Sequence, residues 1–379
     1  MSLIQIPDHI QFLVPYVPGK PIEETQREYK LKRVIKLASN ENPLGASPKA
    51  LLAMKKVMKD VFRYPDANAY YFKKKVSEVL KVSPTSIIAG NGSNDVIDLL
   101  IRTLCNQGDA IVTSQAAFVA YRVCAQVAGV NTIEASIGED LKFNLDAILK
   151  LLKQHERAKI VFIPNPNNPT GTYNTTSEMK NFLKEVSKVR GGSVVVALDY
   201  AYWEYVTAKD LPDPMELLRE YPNVVVMRTF SKVYGLAGLR VGYGVGDPEL
   251  IKTMEKVRQP FNMNNLALAG AEASLSDQAF VKRSVAANNA GMKFWKKGLQ
   301  SLSIPYWESQ GNFILADVNR GLGKSGHDVY MACLKHGVIF RPVTNYGLKH
   351  ALRISIGTPA ENKIALQALK MEAKTKGCI

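Results

Sequence analysis

Cysteine, histidine and long apolar runs are scarce in this chain of 379 residues, and each shortage excludes a class of protein. The four cysteines are scattered without a CxxC pair: Cys105, Cys124, Cys333 and Cys378. We therefore predict that the protein lies in the reducing cytoplasm and has no disulfide framework. The five histidines lack metal-ligand spacing, so we predict no metal site. No apolar run approaches the ~20 residues that cross a bilayer. Residues 1–8 lack the basic and apolar regions of a signal peptide, and we expect none.

Charge is abundant, and the net charge of +15 has three interpretations. A basic chain can bind nucleic acid, attract anionic small substrates, or spread lysines over its surface for solubility. The lysines are dispersed along helical-looking stretches, and no arginine-rich tract with interleaved aromatics is present, which favours the third interpretation. A nucleic-acid-binding protein would usually add a helix-turn-helix unit, and the proline-rich first 38 residues are too short to supply one.

Strands and helices alternate through most of the chain. The pattern predicts helices at 47–62, 71–80, 95–105, 120–128 and 177–189, and strands at 87–89, 110–112, 159–163, 194–198, 224–227 and 239–245. Such alternation predicts an α/β fold in which a mostly parallel sheet is covered by helices on both faces. Ligands of these sheets bind beyond the carboxyl ends of the strands, so we expect the functional site there.

The chain is long enough for two packed units. After about residue 260 a strongly helical stretch, 266–299, precedes strands at 313–316 and 352–356, which predicts a smaller α/β unit. We therefore predict an irregular N-terminal arm at 1–38, a large domain at 39–257, and a small C-terminal domain at 258–379 that packs with the arm.

Lys232 follows the apolar strand at 224–227, so its side chain is held in place. Thr229 and Ser231 precede it, and Arg240 follows eight residues later. A lysine amine can form a Schiff base with an aldehyde, while hydroxyls and a guanidinium hold an anion. Pyridoxal phosphate combines an aldehyde with a phosphate and matches this set. The alternative is a surface lysine in a glycine-rich loop.

Two loops that follow strands carry further candidate binding groups. Residues 90–95 join a strand to a helix, where glycines and free helix N–H groups attract phosphate; Ser93 and Asn94 could instead be plain N-caps. Residues 164–171 contain three prolines and a glycine, and there Asn168 can present its amide to a ligand oxygen. The alternative for this loop is a simple proline turn.

Charged residues at strand ends and within strands complete the candidate set. Asp199 ends the apolar strand at 194–198, where a protonated pyridine nitrogen is a suitable partner, and Tyr202 could bind the ring hydroxyl. Arg353 lies inside an apolar strand, and Arg341 precedes Pro342, so both are candidate clamps for an anionic group. The alternatives are a helix cap for Asp199 and structural ion pairs for all three charges.

These motifs, taken together and in their order along the chain, resemble those of the fold-type I pyridoxal-phosphate aminotransferases. Among these enzymes they most resemble the histidinol-phosphate aminotransferase family. The resemblance covers nearly the whole chain, from 14–21 and 38–45, through 63–66, to 352–358. It implies transamination between L-histidinol phosphate and 2-oxoglutarate in histidine biosynthesis, by a cytoplasmic homodimer with shared active sites and no nucleic-acid or membrane partner. Aromatic amino-acid aminotransferase and threonine-phosphate decarboxylase remain alternatives on the same scaffold.

The resemblance also implies roles for individual residues around pyridoxal phosphate. Lys232 bonds to the cofactor and then moves a proton between the substrate Cα and the cofactor, while Asp199 pairs with the pyridine nitrogen. Asn168 and Tyr202 hold the ring hydroxyl, and Phe118 stacks on the ring. The residues implied for the cofactor phosphate are Ser93, Asn94, Thr229, Ser231 and Arg240, with Tyr64 from the neighbouring subunit.

At the substrate end, the resemblance implies that Arg353 grips the carboxylate of glutamate and the phosphate of histidinol phosphate. Tyr16 and Arg341 would line and close this end. Two departures from the family pattern are visible: Tyr200 replaces a common glutamate, and residues 115–118 lack the usual prolines. We expect little effect from either, because Tyr200 should point away from the ring and an aromatic residue, Phe118, is retained.

Overall fold

A seven-stranded sheet forms the centre of the larger part of the molecule in a computed structural model, which describes residues 4–16 and 18–374. Its strand order is β2-β8-β7-β6-β5-β3-β4, and β8 alone among these runs antiparallel to its neighbours. These strands are β2 (Ile87–Gly90), β3 (Ala110–Ser114), β4 (Asn131–Ala135), β5 (Ala158–Pro164), β6 (Val195–Asp199), β7 (Val224–Thr229) and β8 (Gly242–Val245).

Helices cover both faces of this sheet, as predicted, because its central strands are apolar on both sides. Val196 and Val226 pack with α7 and α8 on one face, whereas Ala197 and Val225 pack with α5, α6 and α10 on the other. The helices up to this point of the fold are α1 (Asp8–Gln11), α2 (Ile22–Tyr29), α3 (Pro48–Val57), α4 (Tyr70–Leu80), α5 (Ser93–Leu104), α6 (Ala120–Val127), α7 (Leu145–Gln154), α8 (Thr176–Val186), α9 (Pro214–Glu220) and α10 (Pro248–Val257).

A smaller antiparallel sheet, of order β12-β13-β10-β9, follows in the chain and packs around Trp295. Its strands are β9 (Tyr306–Trp307), β10 (Phe313–Asp317), β12 (Arg341–Pro342) and β13 (Ala351–Ser355). A separate parallel pair joins β1 (Ile35–Lys36) to β11 (Val338–Ile339). The remaining helices are α11 (Asn265–Leu275), α12 (Gln278–Ser301), α13 (Val318–Leu322), α14 (Gly326–Lys335) and α15 (Pro359–Lys374).

The prediction of an irregular N-terminal arm was wrong for its described part. That part contains α1, α2 and β1, and Ile22 and Tyr29 of α2 pack against the apolar cluster around Leu334 and Ile339. The acidic first turn of α2 favours helix formation, and its apolar ends favour packing of that helix against another part of the same chain. Residues 1–3, 17 and 375–379, including Cys378, lie outside the described residues.

Three other predicted boundaries differ from the structure. The strand predicted at 239–245 begins only at Gly242, because Ala237–Leu239 forms a 3-10 turn and Arg240 adopts a left-handed conformation. The helix predicted at 266–299 divides into α11 and α12 at Asp277, whose side chain caps α12. The helix predicted at 47–62 ends as α3 at Val57 and continues as a short 3-10 turn.

The two sheets lie on either side of the predicted domain boundary near residue 257, and the three-part division itself stays a prediction. None of the helices within residues 4–16 and 18–374 combines the length and apolar composition needed to cross a bilayer.

Candidate active site

A cavity of about 480 Å³ opens at the carboxyl ends of β5, β6 and β7, where the parallel sheet predicted a ligand site. Most of the predicted site residues line it, although they come from segments far apart in the chain. Those lining the cavity are Tyr16, Ser93, Asn94, Phe118, Asn168, Asp199, Tyr202, Thr229, Ser231, Lys232 and Arg240.

Lys232 lies just beyond the end of β7, and its Nζ donates a hydrogen bond to the Ser39 carbonyl at 3.3 Å. Burial, and secondarily the Arg353 cation, lower the pKa of Lys232 to about 8. The loop after Lys232 turns at Gly235, where φ is +68° and a Cβ atom would lie 1.9 Å from the Gly45 carbonyl oxygen. The lysine therefore sits in a loop that only glycine can close, with an amine that is easily deprotonated.

Hydroxyl and guanidinium groups converge beside the N-terminus of α5. Thr229 Oγ1 donates to Ser231 Oγ at 3.0 Å, and Arg240 Nη1 donates to the same oxygen at 3.3 Å. Ser93 opens α5 directly after Gly92, where a Cβ atom would lie 2.7 Å from the Arg240 guanidinium. This arrangement fits a phosphate group, because an arginine, hydroxyls and a helix N-terminus all favour an anion.

Asp199 ends β6 inside the cavity, and both of its carboxylate oxygens accept a hydrogen bond. Tyr121 donates to Oδ2 at 2.9 Å, and the Ala201 N–H donates to Oδ1 at 3.1 Å. Burial raises the pKa of Asp199 to about 6, while these two donors and Lys232 lower it. The oriented carboxylate suits a protonated ring nitrogen, so the donor set at this end of the cavity fits pyridoxal phosphate.

Tyr121 was not predicted from the sequence. A usable signal was its position three residues after Phe118, since residues at that spacing lie on the same side of a helical turn. In the structure the two rings meet edge to face, with their centroids 5.8 Å apart.

Residues 38–42 form what we call the bridging segment, because it contacts the lysine, the tyrosine and the arginine of the predicted site. The Ser39 carbonyl accepts from Lys232, and Asn40 Nδ2 donates to the Tyr202 hydroxyl at 2.9 Å. The Ala38 carbonyl accepts from Arg353. This segment contributed to the family resemblance of the sequence, but its contacts with Lys232, Tyr202 and Arg353 were not predicted.

The bridging segment is itself held by β13. The Asn40 N–H donates to Ser355 Oγ at 2.9 Å, and Ser355 Oγ donates to Asn40 Oδ1 at 2.7 Å. Asn40 has a φ of +55°, a left-handed conformation that asparagine tolerates better than most residues. One residue of the segment thus ties Tyr202 of the large sheet to β13 of the small sheet.

Arg353 projects from β13 and is 5% exposed. Its Nη1 donates to Asn168 Oδ1 and its Nη2 to the Ala38 carbonyl, while its Nε is buried without a hydrogen-bond partner among the described residues. Because a buried donor without a partner is costly, this nitrogen fits an incoming anion. Arg341 is the residue of β12 paired with Arg353, and its guanidinium lies 5.7 Å from the Tyr16 ring centroid.

Three predicted site residues, Tyr64, Arg341 and Arg353, are not among those that line the cavity, and Tyr200 lies away from it, as expected. Tyr64 is 81% exposed and stacks on Phe261, so it does not reach the cavity of its own chain. Tyr200 is fully buried, and its hydroxyl donates to the Pro212 carbonyl at 3.2 Å on the side of β6 away from the cavity lining.

Known proteins resemble this chain along nearly its full length. The sequence profile of the family Aminotransferase class I and II matches residues 32–369. The chain is 46% identical to a histidinol-phosphate aminotransferase of Anaeromyxobacter sp. over 96% of this chain and 98% of that protein, and 42% identical to one of Bdellovibrio bacteriovorus over 97% of both. The crystal structure of histidinol-phosphate aminotransferase from Sinorhizobium meliloti in complex with pyridoxal-5'-phosphate has a TM-score of 0.88, 25% identity and 99% coverage of both chains.

Proposed function

The chain belongs to the class I and II aminotransferase family, and we propose that it uses pyridoxal phosphate to exchange an amino group between L-histidinol phosphate and 2-oxoglutarate. In the biosynthetic direction, glutamate gives its amino group to imidazole acetol phosphate, a step of histidine biosynthesis. The observation that carries the proposal is the 46% identity to a histidinol-phosphate aminotransferase over nearly both full lengths. Pyridoxal phosphate, when bound, supplies an electron sink that stabilises negative charge at the substrate Cα.

Lys232 acts as the residue that holds the aldehyde end of the cofactor and later moves the proton. A pKa of about 8 leaves a far larger share of its amine neutral near physiological pH than an ordinary lysine has, and a nucleophile or proton acceptor must be neutral. Its hydrogen bond to the Ser39 carbonyl directs the amine into the cavity. In the half-reaction that consumes the amino donor, Lys232 would take the proton from the substrate Cα and pass it to the carbon that carried the aldehyde. In the other half-reaction it would move the proton in the opposite direction.

Other residues at this end bind and orient the cofactor. Asp199 pairs with the ring nitrogen, and Phe118 packs on the ring face. Asn168 and Tyr202 hold the ring hydroxyl. The residues that bind the cofactor phosphate are Ser93, Asn94, Thr229, Ser231 and Arg240, which line the cavity beside the start of α5.

Arg353 binds the anionic end of each substrate in turn. A guanidinium donates to a carboxylate or a phosphate with similar geometry, so one residue serves glutamate and histidinol phosphate. Arg341 adds a second cation on the neighbouring strand, and Tyr16 covers the opening. Arg353 contacts Asn168 and Arg341 contacts Tyr16, and both of these contacted residues line the cavity.

We further propose a homodimer in which Tyr64 of one subunit reaches the phosphate site of the other. Supporting this, exposed apolar side chains crowd the surface around α3, the turn after it and the start of α4: Leu51, Leu52, Met58, Val61, Phe62, Tyr64, Tyr70 and Tyr71. Large exposed apolar patches mark protein interfaces.

In analytical ultracentrifugation, Phe62→Asp should yield monomers, whereas Met371→Lys, on α15, should not. Dimers of unchanged affinity in both variants would contradict the proposed interface.

The cytoplasm is the compartment that we propose for this enzyme. Cys105, Cys124 and Cys333 are free thiols, and burial raises the pKa of Cys124 to about 12, so it is unreactive. Cell fractionation followed by detection of the protein tests this, and recovery of the protein outside the cytosolic fraction would contradict it.

The first experiment is an absorbance spectrum of the purified protein before and after addition of L-histidinol phosphate. We expect a visible band of bound cofactor that converts to near-ultraviolet absorption with histidinol phosphate and returns with 2-oxoglutarate. A response to phenylalanine or tyrosine alone would support an aromatic aminotransferase. Release of carbon dioxide from threonine phosphate would support the decarboxylase. A protein that takes up no pyridoxal phosphate would contradict the proposed function altogether.

A further inference from the structure

Tyr121 is a fully buried residue of α6 whose hydroxyl points at the candidate cofactor site without lining the cavity. Its ring stacks on Phe162 of β5, with centroids 4.7 Å apart and planes 10° apart. The same ring meets Phe118 edge to face. Two aromatic contacts therefore fix the ring, and the fixed ring aims its hydroxyl at Asp199 Oδ2, 2.9 Å away.

The direction of this hydrogen bond is determined by its surroundings. Burial and the neighbouring Asp199 charge raise the pKa of Tyr121 well above its ordinary value, so the phenol stays protonated and donates. Asp199 Oδ1 is held separately by the Ala201 N–H. A carboxylate with one donor on each oxygen cannot rotate freely, yet each oxygen keeps a lone pair for a further donor.

Burial works against this carboxylate, because removing it from water favours the protonated acid. A protonated Asp199 could not pair with a cationic ring nitrogen. The tyrosine hydroxyl opposes that tendency, since a hydrogen bond to the charged form favours the charged form.

We propose that Tyr121 is a positioning residue for the cofactor: it holds Asp199 as an oriented carboxylate that accepts the ring N–H of pyridoxal phosphate. The inference rests on the proposed function, because it requires the cofactor. It adds a residue whose hydroxyl acts through Asp199, from a helix that supplies no other of the hydrogen bonds described for this carboxylate. Its effect is therefore specific to the ring nitrogen and absent for a ring that lacks this atom.

The affinities of two cofactors, each measured with the unaltered protein and with a variant, test this specificity without relying on activity. Apoenzyme of full length is titrated with pyridoxal phosphate and with deazapyridoxal phosphate, in which carbon replaces the ring nitrogen. Tyr121→Phe removes only the hydroxyl. We expect it to weaken pyridoxal phosphate binding by roughly five- to tenfold, as for the loss of a typical hydrogen bond, and to leave the affinity for the deaza analogue within about twofold.

Tyr200→Phe is the matched control. Tyr200 is equally buried and adjoins Asp199 in sequence, but its hydroxyl donates to the Pro212 carbonyl. We expect this variant to bind both cofactors as the unaltered protein does. Equal losses for both cofactors in Tyr121→Phe would mean that Tyr121 only fills space, and the inference would be overturned. Failure of the unaltered protein to bind pyridoxal phosphate would instead overturn the proposed function.

A second variant covers the case in which Tyr121→Phe does not fold. A meta-fluorotyrosine incorporated at position 121 preserves the ring and makes the phenol a stronger donor. The stronger bond further favours the charged form of Asp199. We therefore expect a larger preference for pyridoxal phosphate over the deaza analogue; an unchanged or smaller preference would overturn the inference.

Discussion

The two ends of the cavity are assembled in different ways. At the cofactor end, Asn168, Asp199 and Lys232 follow the adjacent parallel strands β5, β6 and β7, whose carboxyl ends coincide. At the substrate end, Arg353 comes from an antiparallel sheet more than a hundred residues later and is held by the Ala38 carbonyl. Strand pairing brings the first set to one edge of the sheet, whereas Arg353 is held by hydrogen bonds to the Ala38 carbonyl and to Asn168 Oδ1.

The two ends of the cavity should therefore respond differently to substitutions. A sheet with both faces buried resists displacement, because moving one strand would break its ladder and its core contacts. The bridging segment has irregular backbone and is held by individual hydrogen bonds to β13, to Asn312, to Val233 and to Ser284, not by a strand ladder. Some substitutions should therefore affect only one end of the cavity, whereas substitutions in the bridging segment should affect both ends.

The largest effect should come from Lys232→Ala, which removes the one group that serves both ends. We expect turnover to fall by at least ~10³-fold, since proton transfer and covalent attachment are lost together. Single-turnover absorbance with histidinol phosphate measures this. Turnover close to that of the unaltered enzyme would show that another residue moves the proton.

Arg353→Lys should separate the two ends. A lysine keeps the charge but cannot reproduce the forked geometry, so we expect kcat/KM for histidinol phosphate to fall by roughly 10²-fold. Cofactor affinity should stay within about twofold, because the phosphate cradle and Asp199 are unchanged. Steady-state kinetics and cofactor titration check the two parts, and equal losses in both would mean that the ends are not separable.

Asn40→Gly should affect both ends at once. Glycine adopts the positive φ of this position without strain, so the variant removes only the side chain that links Tyr202 to Ser355. We expect kcat/KM to fall by roughly tenfold, since a buried hydroxyl loses its donor. The visible band of the bound cofactor should also shift.

The control for that variant is Lys30→Gly. Lys30 has a φ of +54° at the exposed end of α2, so it tests glycine at a left-handed position without a site contact. We expect its kinetics and spectrum to match the unaltered enzyme. If the two variants behaved alike, the hydrogen bonds of Asn40 would have no part in activity.

The smallest effect concerns pH. Because burial and Arg353 lower the pKa of Lys232 to about 8, the neutral amine is fully available above that pH. The rate at which apoenzyme combines with pyridoxal phosphate should rise with pH up to about 8, then increase by only about twofold between pH 8 and 9, against about tenfold for an ordinary lysine.

Arg353→Gln should raise the midpoint of this rate profile, since it removes a cation that disfavours protonated Lys232. Stopped-flow absorbance measures both profiles. A rate that climbs steeply beyond pH 9 in the unaltered protein would show that the lysine is not perturbed.

The meeting of Lys232 and Asp199 in one cavity could be predicted because the sequence signals for it are local. Lys232 and Asp199 each follow an apolar strand, and parallel strands bring such positions to one edge. The α/β fold class was confirmed for the same reason, since strands buried on both faces are continuous apolar runs.

The rest depended on contacts that local patterns do not contain. Asn40 bonds to Ser355, 315 positions away. The spacing of Tyr121 from Phe118 is visible in the sequence, but its hydrogen bond to Asp199 is known only once α6 is placed beside β6. Helical spacing correctly predicted a helix at α3 but not its environment: Leu51 and Leu52 are 53% and 57% exposed. Periodicity cannot distinguish a core face from an exposed apolar face.

The bonds between Asn40 and Ser355 also determine when the cavity can be completed during synthesis. The bridging segment leaves the ribosome early, but its anchors on β13 are translated 315 positions later. Contacts of such separation form late in folding. The nascent chain can therefore align β5, β6 and β7, but it acquires a finished cavity only after β13, the last strand of the described chain, has emerged.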